Sequence, residues 1–145
     1  MTKVVINNCH GGFGLSQQAV ERYLELKGIK VYPEPDGFGL REFGMKNWLV
    51  EPGDQRVADV TAEGWSEMTL EERRTHNERY SAQVFYDRDI PRDDSFLVQT
   101  VEELGELANG DFARLKIVEV PDDANWYIEE YDGLEWVAER HRTWS

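Results

Sequence analysis

Three glycines in four positions, Gly11-Gly12-Phe13-Gly14, stand between a β-branched run, Val4-Val5-Ile6, and a stretch of helical periodicity that opens at Ser16. Glycine reaches φ > 0 without steric cost, so such a loop turns sharply and admits close approach of other groups. The chain is therefore expected to begin strand, tight loop, helix, with Ser16 as the helix N-cap. Unpaired amides and the positive end of a helix dipole attract anions, which makes Asn8, Cys9, His10, Gly11, Gly12, Phe13, Gly14 and Ser16 a candidate site for a phosphate or carboxylate. The loop matches neither the dinucleotide fingerprint nor the nucleoside-triphosphate loop, which needs Lys followed by Ser or Thr after its last glycine. A plain strand-to-helix turn is the competing reading of the same residues.

Along the chain, Lys3 to Asn7 has the apolar character of a strand covered on both faces. Ala19, Val20, Tyr23, Leu24 and Leu26 recur at helical spacing, Gly28 stops the helix, and Ile29 to Tyr32 reads as a second strand. That order predicts a parallel βαβ unit with a right-handed crossover. Prolines and glycines from Pro33 to Gly53 mark a long loop suited to a lid, and Gly-Phe-Gly-Leu of positions 12 to 15 recurs there at 37 to 40. Thr69-Leu70-Glu71-Glu72 is a capping box opening a charged helix to about Ala82, followed by a short strand at Val84 to Tyr86. Asp94 or Ser95 caps a third helix with an apolar face of Phe96, Leu97, Val101, Leu104, Leu107 and Ala108.

The C-terminal third predicts strands at Leu115 to Val120, Trp126 to Tyr131 and Leu134 to Glu139, the last two joined by the hairpin dipeptide Asp132-Gly133. Pairing across that turn sets Tyr131 against Leu134 and Ile128 against Val137. Apolar residues then occupy both faces, and the less apolar face is expected to pack on a helix or on a second copy of the chain, a homodimer. The expected fold is α/β (α+β): a single domain over residues 1–145, with a mixed sheet, an N-terminal βαβ unit, a C-terminal antiparallel hairpin and about three helices.

Charge narrows the partners. With 16 Lys and Arg against 29 Asp and Glu, the net charge is -13, which repels phosphate backbones and argues against direct nucleic-acid binding. The same charge suits a basic protein partner, including one that itself holds DNA or RNA. Cys9 is the single cysteine, so no internal disulfide forms and a reducing cytoplasm is expected. No apolar run approaches the ~20 residues of a membrane span. No cofactor or metal motif is recognised; the run Asp87 to Asp94, with four aspartates and two arginines, departs from the calcium-loop pattern.

The opening KVVINNCHGGFGLS and the closing EYDGLEWVAERHRTW, with DIPRDD and VEELGELANGDFARLKIVEVPDD between them, resemble a family of small bacteriophage and prophage proteins of unknown function. Where those proteins carry Tyr after the cysteine, this chain has His10. The resemblance implies an accessory viral protein in the cytoplasm of a bacterial host and carries over no activity or catalytic residue.

Three functional classes follow. In the first, the glycine loop binds a small phosphate-bearing ligand, with Arg88 or Arg142 neutralising it, and sequesters a host defence signal. In the second, the acidic surface covers a basic host protein. In the third, the chain is an enzyme on nucleotides or glycosyl bonds, using a carboxylate such as Glu103 or Asp89 near the loop. Cys9 and His10 are adjacent on an extended segment, where side chains diverge, which weakens a nucleophile and base pairing. With no catalytic pair at diagnostic spacing, binding without catalysis leads.

Overall fold

The computed structural model describes residues 1–35, 45–58 and 60–140. They belong to two units, the first formed by Met1–Gly28 with the chain from Asp87 onward and the second by Ile29–Tyr86. Among the described residues, four α-helices and seven strands in open antiparallel sheets make the architecture α+β.

In the first unit, β1 (Thr2–Asn7) runs antiparallel to β5 (Leu115–Val120), with Val4 opposite Val118 and Ile6 opposite Lys116. Val4 to Asn7 are all buried, so the strand is covered on both faces, as its unbroken apolar run requires. α1 (Gln17–Leu26) buries Ala19, Val20, Tyr23 and Leu24, and α4 (Ser95–Leu104) buries Leu97, Val98, Thr100 and Val101. Each helix starts where a side chain takes up orphan amides. Ser16 Oγ accepts from Ala19 N at 3.1 Å, and Asp94 Oδ1 accepts from Phe96 N and Leu97 N; such a cap contributes about 1 kcal/mol. Beyond α4, Gly105 at positive φ ends the helix and a 3-10 turn follows at Gly105–Ala108; it buries Ala108 but leaves Leu107, expected on the apolar face, exposed.

β6 (Trp126–Tyr131) and β7 (Leu134–Glu139) form the expected hairpin in the expected register. Asp132 and Gly133 both have positive φ, the backbone of the two-residue turn that matches strand twist. The face bearing Trp126, Ile128 and Val137 packs on Val4, Ile6 and Val120. The opposite face leaves Tyr131 and Trp136 exposed. The face with fewer apolar residues thus packs on strands of its own unit rather than on a helix or a second copy.

In the second unit, β2 (Tyr32–Pro35), β3 (Met45–Trp48) and β4 (Val84–Phe85) form an antiparallel sheet in that order. α2 (Ala62–Glu67) and α3 (Leu70–Gln83) precede β4, and α3 opens with the predicted capping box on Thr69 and Glu72. Neither helix buries a residue.

The parallel βαβ unit is not formed. The strand, helix, strand order is present, but β1 and β2 lie in different sheets, and every pairing among the described residues is antiparallel. One edge of β1 is taken by β5. On the other edge Val5 N donates to Arg92 O at 2.8 Å and Asn7 N to Glu135 Oε1 at 2.7 Å, which leaves no ladder for a parallel neighbour. The second strand also starts at Tyr32 rather than Ile29; Pro33 and Pro35 confine it to a sheet edge, where a missing N–H costs no ladder bond.

Candidate functional site

The glycine loop is held between two other segments of the first unit. On one side is 105–114: Ser16 N donates to Ala108 O at 2.9 Å and Gly110 N to Gly14 O at 2.9 Å, while Ser16 Oγ donates to Leu107 O at 2.6 Å. On the other is the hairpin turn, where His10 Nδ1 lies 3.3 Å from Asp132 O. The approach is close enough to dictate glycine. A Cβ on Gly11 would stand 1.7 Å from Phe112 O, and one on Gly133 would stand 2.7 Å from both Gly12 N and His10 O. These glycines let backbone pack on backbone.

Asn7 organises the junction. Wholly buried, its amide donates to Cys9 O at 2.7 Å and Gly133 O at 2.8 Å, and its carbonyl accepts from Arg114 N at 2.8 Å. One side chain thereby satisfies backbone groups from the loop, the hairpin turn and the entry to β5, as burial of polar groups demands. Beside it, Arg92 binds Glu135 through two hydrogen bonds of 2.6 and 2.9 Å and donates to Val5 O. The Glu135 side chain is 6% exposed and that of Arg92 17%. Phe13 lies 3.6 Å from the guanidinium carbon, so the loop's aromatic residue covers the buried ion pair. Period-two alternation along β7 puts Glu135 on the face of Val137, and an acidic residue on a core-facing position needs a cation. That was the signal in the sequence for Arg92 and Glu135, and neither was among the expected site residues.

An internal carboxylate takes one of the loop amides. Asp87 Oδ2 accepts from Leu15 N at 2.9 Å, and Ala19 N is capped by Ser16. Cys9, half-buried, donates its thiol to Phe112 O at 3.2 Å. It and His10 thus address different segments, although they stand in a bend and turn past β1 rather than on the extended segment expected of them. Asn8 N donates to Arg114 O at 2.7 Å. Arg88 stands exposed in the 3-10 turn Asp87–Asp89. Arg142 lies outside the described residues, as do His141 and the second Gly-Phe-Gly-Leu.

Glu103 is paired with Arg22 at 2.8 Å and accepts from Gln99. Those hydrogen bonds, Arg22 first, hold its carboxyl below the usual range, the opposite of what a general acid at neutral pH needs. Asp94 accepts from Tyr23 Oη at 2.9 Å besides capping α4. Burial, then this hydrogen bond, pushes the Tyr23 phenol well above its ordinary value.

No protein-family model, curated protein or solved structure matches the chain. Among the described residues, no helix is long and apolar enough to cross a membrane.

The surface around the loop is both acidic and apolar. Leu107 and Phe112, 63% and 67% exposed, sit on the flanking segment 105–114, and Tyr131, 71% exposed, adjoins the hairpin turn. Glu106, Asp111, Glu130 and Asp132 are their exposed sequence neighbours. Across the first unit, eighteen acidic residues face nine basic ones, against eleven and seven in the second.

Proposed function

We propose that the chain is a protein-binding module whose loop end covers a basic surface on a macromolecular partner. The observation that carries this reading is the exposure of Leu107, Phe112 and Tyr131 on the segments that clasp the glycine loop, with acidic residues beside each. Large apolar anchors inside a charged rim are the anatomy of a recognition surface, in which a few side chains supply affinity and charge supplies steering. The internal Asp87 carboxylate on Leu15 N supports this reading over a small anion in the loop. In the setting that the resemblance to phage proteins implies, the partner is a host protein whose cationic face otherwise holds nucleic acid, and covering it serves an accessory viral role.

The test compares the wild-type chain with Leu107→Ser/Phe112→Ser and with Glu106→Lys/Asp111→Lys, each immobilised and exposed to bacterial lysate. The expected result is one basic protein retained by the wild type, released by salt, and lost from both variants. The reading is overturned if capture is the same for all three, or if native mass spectrometry of the purified chain finds a phosphate-bearing ligand that denaturation releases and that Gly12→Val no longer retains. That second outcome would establish the small-ligand reading instead.

A further inference from the structure

The second unit has a groove of about 760 Å³ between α2, α3 and β3. Three rings line it: Trp65 from α2, and His76 and Tyr80 from one face of α3, four residues apart. Trp65 is held in place rather than loosely attached. Arg73 donates to Trp65 O at 2.9 Å and to Ser66 O at 3.3 Å, its guanidinium lies 5.3 Å from the indole centroid, and His76 meets Trp65 edge-on at 5.9 Å. Tyr80 is fixed likewise by an edge contact with the buried Trp48 at 5.8 Å.

Polar groups stand at two positions on this aromatic wall. The Asn77 amide, between His76 and Tyr80, has no hydrogen-bond partner among the described residues and presents a donor and an acceptor side by side. The Lys46 ammonium lies over the Tyr80 ring, 5.1 Å from its centroid, and over Trp48 at 5.5 Å, which brings a positive charge to the β3 side of the groove. Stacking rings, an amide that can read a base edge, and a cation are the three requirements of a nucleotide site, and the volume falls in the range of small-ligand pockets.

We propose that this groove binds a mononucleotide, with the base stacked against Trp65, its edge on the Asn77 amide, and its phosphate toward Lys46 where that ammonium lies over Tyr80. The site is separate from the glycine loop, and its success or failure leaves the protein-binding reading standing. Titration calorimetry of the full chain with AMP, UMP, adenosine and ribose 5-phosphate tests it. At least one of AMP and UMP is expected to bind with one site per chain, and ribose 5-phosphate about tenfold or more weaker, since it lacks the stacking base. Asn77→Ala, at an exposed position on α3, is expected to leave the circular dichroism unchanged and to weaken nucleotide binding about tenfold. Lys46→Gln is expected to weaken AMP while leaving adenosine unchanged. The proposal is overturned by no heat with either nucleotide at millimolar concentration, by equal binding of ribose 5-phosphate and AMP, or by a folded Asn77→Ala chain that binds as the wild type does.

Discussion

The two units hold themselves together by different means. Among the described residues, fourteen of the seventeen buried apolar side chains belong to the first unit, and only Trp48, Val57 and Val84 to the second. The first unit adds a buried polar network around Asn7, Arg92 and Glu135. Cations lie over rings in both units, Arg92 over Phe13 in the first among them, but in the second they stand beside few buried side chains: Arg56 over Trp48 at 4.5 Å, Lys46 over Trp48 and Tyr80, and Arg73 over Trp65. Burial of apolar area scales to many kcal/mol, whereas a partly exposed cation and ring contact contributes roughly 0.5–1 kcal/mol. Local opening free energies are therefore expected to be lower in the second unit. Helices that bury no residue are expected to open more readily than a surface built on a buried network.

The strongest test of this contrast is Glu135→Ala. It removes the partner of Arg92 and the acceptor of Asn7 N together, and breaking a buried pair from one side costs about 3–5 kcal/mol. Urea unfolding should show a loss of that size, and hydrogen exchange should show it across β1, β5 and β7; a loss below ~1 kcal/mol would mean the pair is not central to the unit. Trp48→Ala sharpens the comparison from the other side. It deletes the largest buried side chain of the second unit, at about 3–5 kcal/mol, and should strip exchange protection from β3 and α3 while α1 and α4 keep theirs. Equal loss in both units would show them to be one cooperative body.

Gly11→Ala asks whether the glycine loop is a packing device. A Cβ 1.7 Å from Phe112 O forces the loop off segment 105–114, for a loss of about 1–3 kcal/mol in thermal or urea unfolding; an unchanged midpoint would refute the close approach. Tyr23→Phe has the smallest effect at neutral pH, about 1 kcal/mol from the lost hydrogen bond to Asp94. Its signature is the pH dependence. Tyr23 binds its proton more tightly folded than unfolded, so its contribution is complete below the unfolded value near 10 and is lost as pH rises from there toward the higher folded value. The wild type should lose stability above pH 10 more steeply than Tyr23→Phe, and parallel profiles would count against the buried phenol.

Features set by neighbours in sequence were legible in the sequence. Ser16, Thr69 and Asp94 cap helices because each bonds amides two or three residues on, and Asp132-Gly133 defines the hairpin register because positive φ at both positions admits that turn. The overall mix of helix and strand followed from periodicity, which is equally local. What the tertiary structure alone decided is which distant groups meet. β1 takes β5 rather than β2, Asp87 comes to Leu15 N from 72 residues away, and Arg92 closes on Glu135 across 43. A glycine-rich loop reads the same whether it faces a ligand or another stretch of backbone, since both need a missing Cβ. Here the group filling the space at Gly11 is Phe112 O, and no spacing within the loop carries that information.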